Sequence, residues 1–421
     1  MKSHYQVLVV GGGTGGIMTA AQLRRKDKKI SIAIIEPGKD HFYQPAWTLV
    51  GAGVFDFEKT RRSESSLIPK GVDWIQDHVT IFQPAVNKVS TRKSGDIGYD
   101  VLIISAGIQI DLDAMPGLRE AMKTDSVCSN YIDPKKTFEV LKRFKGGNAL
   151  FTQPATPIRC GGAPQKIMYL AEEYFRKSGV RNKTKVIFST PGTVIFGTKD
   201  FADELNRILK QKEIHFKPYY KPVSIDPVNK EVTYEFIKKD VQILESDLDK
   251  EIGERIAVEN TVKIKYDMLH LAPPQSAPDF IKQSPFAYKD GPNKGWINVD
   301  IHTLQNPDHF NVFALGDSAA LPTAKTGAAI RKQAPVVVEN AYRTLKQMGL
   351  SEKTYDGYSS CPIVTGYGKM LLCEFKYDNL RSSDPFLSKF VNTAKEQWSM
   401  WILKKYGLPW LYWNMMMKGR M

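Results

Sequence analysis

Gln6-Val7-Leu8-Val9-Val10-Gly11-Gly12-Gly13-Thr14-Gly15-Gly16 decides the fold of this chain. Val7 to Val10 are apolar and mostly β-branched, the composition of a strand buried on both faces of a parallel sheet. Gly11, Gly13 and Gly16 then set out G-x-G-x-x-G, and Ile17 to Arg24 read as a helix. In such a frame the first glycine permits a tight turn, the second lets backbone approach a diphosphate, and the third lets helix and strand pack closely. The helix N-terminus faces the diphosphate. A second strand, Ser31 to Ile35, ends at Glu36, whose carboxylate is placed to accept hydrogen bonds from an adenosine ribose. Glycine spacing alone is a weak signal. A strand before it, a helix after it and an acidic strand end beyond it make a dinucleotide the expected ligand.

Outward from that turn, 421 residues leave room for two or three domains. The formal charge of +14 asks for an anionic partner or surface. No zinc finger, RNP motif or dense arginine stripe points to nucleic acid, so an anionic lipid membrane is the better candidate. Four cysteines, Cys128, Cys160, Cys361 and Cys373, show neither CxxC nor metal-ligand spacing, and no metal site is expected. The first strand begins almost at once, with no signal or transit peptide ahead of it in this numbering. No apolar run reaches the roughly 18 residues of a spanning helix.

His41-Phe42-Tyr43-Gln44-Pro45 and Trp47 form an aromatic loop suited to covering a flat ring, or to packing on the sheet. Val72 to Val79 read as a strand, Thr80 to Gly95 as a hairpin, and Tyr99 to Ser105 as a strand that closes at Ala106-Gly107, where the chain passes the dinucleotide. A second α/β unit follows, with strands at Asn148–Thr152 and Lys185–Phe188 and helices from Pro164 and Phe201. Its turn at Ser189-Thr190-Pro191-Gly192-Thr193 holds one glycine where three are wanted, which argues against a second, dissociable nicotinamide dinucleotide. Glu231–Phe236 and Thr261–Tyr266 read as exposed strands. Asn311–Gly316 ends in Asp317, an acceptor for polyol hydroxyls, and Lys325-Thr326 opens a long helix whose first N–H groups face a ring carbonyl.

Beyond Ser351, Phe390, Ala394, Trp398, Trp401 and Ile402 fall at helical spacing, followed by Lys404 and Lys405. Trp410, Trp413 and Met415 to Met417 come next, with Lys418 and Arg420 behind them. Aromatics, methionines and lysines together suit a bilayer headgroup boundary. Capping a homodimer core is the other reading. Cys160 precedes a helix N-terminus and has Arg159 and Lys166 nearby, two settings that favour a thiolate. Cys361 reads as part of a Ser/Pro loop, open to exchange, and Cys373 as inert packing in an apolar strand.

Two segments, Pro157-Ile158-Arg159-Cys160-Gly161-Gly162-Ala163-Pro164-Gln165-Lys166 and Ser360-Cys361-Pro362-Ile363-Val364-Thr365-Gly366-Tyr367, closely resemble the sulfide:quinone oxidoreductase family, as do the His41–Pro45 loop, Gly316-Asp317 and the Tyr412–Met416 tail. The likeness runs across essentially the whole chain and is nearest to the branch with the mitochondrial enzymes, within the two-dinucleotide-domain flavoproteins. It implies an α/β fold with two Rossmann-like domains and a C-terminal amphipathic membrane-associating region. FAD would be held by residues 1–115 and 297–350, a second Rossmann-like domain without a phosphate fingerprint would span 116–296, and 351–421 would carry the second redox cysteine, the quinone site and the membrane attachment. The cofactor residues so implied are Gly11, Gly13, Gly16, Glu36, Gln44, Gly107, Asp317, Lys325 and Thr326. Cys160 and Cys361 match the redox pair, and Cys128 matches a third cysteine of bacterial relatives that holds or relays sulfur. The implied reaction oxidises sulfide to persulfide or polysulfide and passes two electrons through FAD to a membrane quinone. Glutathione, another thiol or sulfide would accept the sulfur. The implied place is a peripheral or monotopic position on the mitochondrial inner membrane or a bacterial plasma membrane. A type II NADH:quinone oxidoreductase is the enzyme alternative, and a non-catalytic membrane-binding module is the alternative of another class.

Overall fold

The computed structural model describes residues 2–421. The strand His4–Val10 lies at the centre of a seven-stranded sheet, parallel to Ile32–Ile35 on one side and to Asp96–Ile104 on the other. Both faces are covered, which is why Val7 to Val10 alternate with nothing polar. The helix Thr14–Lys26 leaves the glycine turn and ends in Arg24, Arg25 and Lys26, cations that suit the negative end of its dipole. Asp73–Ile75 extends the sheet beyond Ile32–Ile35. From far along the chain, Val312–Ala314 returns to pair with Leu102–Ile104, so Gly316 and Asp317 emerge beside the glycine turn. The strand expected over Val72–Val79 is shorter than read: Asp77 interrupts it, accepting backbone hydrogen bonds from His78, Lys93 and Ser94.

The second sheet is parallel throughout and orders Gly147–Thr152 between Met268–Leu271 and Thr184–Ser189. This order changes the reading of the second unit. The strand equivalent to His4–Val10 is Gly147–Thr152, so the turn where a phosphate fingerprint belongs is Gln153–Gly162, not Ser189–Thr193 as the sequence was read. That turn is proline-rich and carries Cys160. The helix that follows, Ala163–Lys177, therefore presents its N-terminus to a thiol rather than to a diphosphate.

Glu231–Phe236 and Thr261–Lys265 belong to a small antiparallel sheet, and the exposure read for them holds for one face only. Val232, Tyr234, Val262 and Ile264 are fully buried against the second sheet.

Cys361 is not in a loop. It lies inside Ser359–Gly366, paired antiparallel with Lys369–Phe375, and Cys373 stands directly opposite it. Pro362 is tolerated there because its partner, Leu372, sends its own N–H outward to Thr393.

The tail is not one helix from Phe390. Two short helices, Trp398–Ile402 and Leu408–Asn414, are joined by a π turn over Leu403–Gly407. Pro409, lacking an N–H, cannot close the α-helical bond to Lys405, and the turn widens there. Tyr412, Met416 and Met417 pack into the core of the first sheet with Ile17 and Leu23. Among the described residues, no helix is long and apolar enough to cross a membrane.

Candidate active site

One cavity of about 520 Å³ is bounded by the glycine turn, the Cys160 turn and the tail. Three glycines shape its floor for different reasons. Gly11 has φ +101°, and a Cβ there would come within 2.3 Å of the Ser105 carbonyl oxygen. A Cβ on Gly16 would come within 1.9 Å of the Gly11 carbonyl oxygen, so helix and strand close only on glycine. Gly13 faces open space and lines the cavity, which leaves its backbone accessible to a ligand. Gly11 and Gly16 thus work from behind the wall.

Glu36 also lines the cavity, with both carboxylate oxygens already engaged. Oε2 accepts from the Gly12 N–H at 2.8 Å and Oε1 from the Gly38 N–H at 2.7 Å. It holds the turn as well as facing the ligand, and each oxygen keeps a further lone pair for a ribose hydroxyl. Gln44, Gly107, Asp317, Lys325 and Thr326 line the same cavity. Burial pushes Asp317 above the usual carboxylate range, opposed by Arg159 and Lys325. The Lys325 ammonium turns back to the carbonyls of Asp317 and Ala319, at 2.7 and 3.1 Å, and lies over the Trp296 ring. Its burial lowers it to about 8. Thr326 caps Gly327–Leu345 through its hydroxyl, which accepts from Ala329 N–H. These groups fit FAD: a glycine cradle, an acidic ribose acceptor and a capped helix N-terminus surround one space.

Cys160 sits on the cavity wall with φ +54°, held by its N–H on the Lys325 carbonyl at 2.8 Å and by the Tyr131 hydroxyl on its own carbonyl at 3.2 Å. The Lys166 ammonium donates to Cys160 Sγ at 3.0 Å. The Cys361 thiol is its hydrogen-bonding neighbour, and this bond, followed by Lys166, holds Cys160 well below the usual thiol range despite burial. Cys361 is pushed the other way, first by that hydrogen bond and then by burial. The two shifts are opposite, and they favour the anion on Cys160. Cys361 itself lies behind Ser360 and Pro362 rather than on the cavity surface, and a Cβ on Gly162 would come within 2.5 Å of its Sγ. Gly162 is the residue that lets the two sulfurs meet. Cys128 is elsewhere. It is fully buried, points its thiol at the Leu269 carbonyl at 3.7 Å, is raised to about 12 by burial, and does not line the cavity.

The tail supplies a residue that the sequence placed at a lipid surface. Lys404 points inward, 2% exposed, and donates to the Pro45 carbonyl at 2.8 Å. Burial, then Lys166, lower it to about 7. Periodicity gave no sign of this, because the π turn shifts the inward face. Met416 and Met417 are likewise core, not lipid-facing, and Met415 is half-buried, while Trp398 and Trp410 stay exposed. Asn130 and Thr48 line the cavity with buried side-chain polar atoms that find no protein partner. Each such orphan costs about 1–3 kcal/mol unless a ligand or water meets it. Nothing in their sequence setting singles them out.

Replacing Lys166 with Met removes the charge beside Cys160 while keeping an unbranched side chain one atom shorter. The thiolate fraction at neutral pH should fall, and turnover with it, by roughly tenfold or more, with recovery as pH rises. A pH–rate profile of Lys166→Met that matches the wild type would remove Lys166 from this role.

Residues 5–148 match the family described as Pyridine nucleotide-disulphide oxidoreductase. The chain is 42% identical to the mitochondrial sulfide:quinone oxidoreductase of Mus musculus, over 99% of this chain and 87% of that protein. It is 40% identical to that of Dictyostelium discoideum, over 100% of this chain and 87% of that protein. The crystal structure of the sulfide:quinone oxidoreductase from Aquifex aeolicus superposes with a TM-score of 0.78 at 19% identity, covering 99% of this chain and 92% of that one.

Proposed function

The chain belongs to the sulfide:quinone oxidoreductase family, in the branch of the mitochondrial enzymes, and from that premise we propose that it oxidises sulfide to sulfane sulfur and reduces a membrane quinone with FAD as cofactor. The observation that carries the reading is Cys160 on the wall of the cavity that holds the glycine cradle, beside the Lys166 ammonium and with Cys361 behind that wall as its hydrogen-bonding neighbour.

In this reading the two sulfurs have unequal roles, supported by the Lys166 ammonium beside Cys160. In the oxidised enzyme they form a disulfide, which hydrosulfide attacks. The better leaving sulfur is the one whose thiolate is stabilised, and that is Cys160 beside the Lys166 ammonium. The new S–S bond therefore forms on Cys361, giving a persulfide there and a thiolate on Cys160. Bound FAD supplies the two-electron acceptor that links this thiolate to the quinone. Lys166 keeps Cys160 anionic, burial keeps bulk water from Cys361, and the sulfane sulfur leaves Cys361 to glutathione, another thiol or sulfide. Residues 1–115 and 297–350 hold the cofactor in this reading, 116–296 carries Cys160, and 351–421 carries Cys361 and the quinone end.

Phe386, Phe390, Trp398, Tyr406 and Trp410 are exposed on the C-terminal region. We read them as the surface that seats the protein on one leaflet of an anionic membrane, where an apolar quinone is found. Covering by a second copy is the other use of the same patch.

The test is anaerobic addition of sulfide or of NADH to the purified yellow protein, followed by flavin absorbance. Sulfide should bleach the flavin and NADH should not, because the turn that would hold its diphosphate is taken by Cys160. Rapid bleaching by NADH would favour a type II NADH:quinone oxidoreductase.

A further inference from the structure

We propose that Glu64 is a further cofactor-binding residue, one that holds FAD as a neutral carboxylic acid through its free oxygen, Oε1. The inference rests on the FAD reading above and adds a residue and a protonation state to it.

Glu64 begins a short turn after the strand Arg61–Ser63, with its N–H fixed on the Lys39 carbonyl at 2.9 Å. Its side chain is 2% exposed and lines the cavity. Oε1 lies against the glycine turn: a Cβ on Gly12 would come within 2.3 Å of it. That oxygen has no hydrogen-bond partner in the protein. A buried carboxyl oxygen left free beside a dinucleotide cradle is placed to meet the ligand.

The other oxygen is already engaged. Oε2 is 3.3 Å from His41 Nδ1, His41 Nε2 is hydrogen-bonded to the Tyr412 hydroxyl, and that hydroxyl is 2.7 Å from Thr14 Oγ1. A neutral imidazole can join this chain in either direction, and we take the one in which Glu64 Oε2 accepts. The Thr14 hydroxyl donates to Tyr412, Tyr412 donates to His41 Nε2, and His41 Nδ1–H donates to Glu64 Oε2. In that direction a protonated Glu64 carries its proton on Oε1, the oxygen without a protein partner. The titratable groups facing Glu64 are Glu36 from the first sheet, His41 from the strand Asp40–Phe42 and Tyr412 from the tail. Burial raises Glu64 above the usual carboxylate range, His41 opposes the rise and Glu36 adds to it. An ionised Glu64 would set a second negative charge beside Glu36, next to an anionic diphosphate. A neutral Glu64 donates instead to a ribose or phosphate oxygen.

The sign of the pH dependence follows. FAD binds the protonated form, so affinity is full below the pKa of Glu64 in the free protein and falls above it. The dissociation constant should rise by at most about tenfold per pH unit. The experiment measures FAD dissociation by flavin fluorescence from full-length protein between about pH 6 and pH 9, for wild type, Glu64→Gln and Glu64→Ala. Melting of the FAD-free forms reports folding separately. We expect affinity that weakens with pH in the wild type, and a flat profile in Glu64→Gln near the wild-type value at low pH, since the amide keeps a neutral donor. Glu64→Ala should bind about tenfold more weakly at every pH, the loss of one hydrogen bond to a ligand. A flat wild-type profile overturns the assignment. So does a pH trend that survives in Glu64→Gln, because the proton would then not belong to Glu64. Loss in Glu64→Gln equal to that in Glu64→Ala also overturns it. Wild-type protein that binds no FAD at any pH overturns the flavoenzyme reading itself.

Discussion

Cys361→Ser is expected to cut sulfide-dependent quinone reduction by roughly three orders of magnitude while FAD stays bound, and Cys160→Ser to do the same. The two sulfurs act as one exchangeable unit, and a hydroxyl cannot take part in an S–S bond. Neither side chain packs the floor of the glycine cradle, so flavin content should be kept. The two variants are not equivalent. Cys361→Ser leaves the Cys160 thiolate with Lys166 still beside it, and one fast-reacting thiol should remain towards alkylating reagents at neutral pH. Cys160→Ser removes the thiolate that is the first cause of the raised Cys361 pKa and leaves burial opposed by Lys166, so the remaining Cys361 thiol should react more slowly because it lies behind the cavity wall. Rapid quench with a labelled alkylating agent and peptide mass mapping would distinguish them. Wild-type turnover in Cys361→Ser would sink the disulfide mechanism. Cys128→Ser serves as the contrast. The sequence put Cys128 in the catalytic set through its match to bacterial relatives, but its thiol is fully buried and turned to the Leu269 carbonyl. Turnover should stay within about twofold, with a modest loss of stability from burying a hydroxyl in its place.

Deleting the tail from Trp398 onward should release FAD and lower the melting temperature, rather than spare the sulfide half-reaction as a purely peripheral anchor would. The reason is where the tail goes. Met416 and Met417 pack against the glycine-turn helix with Ile17 and Leu23, and Gly419 fits where a Cβ would come within 2.7 Å of the Gln22 backbone nitrogen. Tyr412 hydrogen-bonds Thr14, the residue that follows Gly13. Removing large buried side chains of this kind costs about 2–5 kcal/mol each, enough to unfold a marginal domain. Flavin content after gel filtration and thermal melting check this. A truncated protein that keeps stoichiometric FAD and melts like the full chain would show that the tail only decorates the fold. Membrane attachment needs a gentler variant. Trp398→Ser with Trp410→Ser changes only exposed residues, so FAD and the sulfide half-reaction should persist, while binding to anionic vesicles and reoxidation by long-chain quinone both fall.

What the sequence determined by itself is local chemistry. Gly11, Gly13 and Gly16 between an apolar strand and a helix carry their meaning within a dozen residues, because backbone sterics and strand burial are short-range. The thiolate setting of Cys160 was legible for the same reason, since its helix N-terminus and Lys166 lie within six positions of it. Tertiary structure decided whatever depends on register and on which strand lies beside which. Sheet order, not spacing, shows that the fingerprint turn of the second unit is the Cys160 turn. The pairing of Ser359–Gly366 with Lys369–Phe375 moved Cys361 from a loop into a strand behind the cavity wall. The π turn at Leu403–Gly407 broke the 3.6-residue rhythm and turned Lys404 inward, where a periodic reading had placed it in lipid headgroups. Glu64, His41 and Tyr412 are separated by up to 371 positions, and only the fold joins them into one hydrogen-bonded chain. Long-range contacts form where burial energy outweighs chain entropy over the whole domain, and no stretch of sequence records that balance locally.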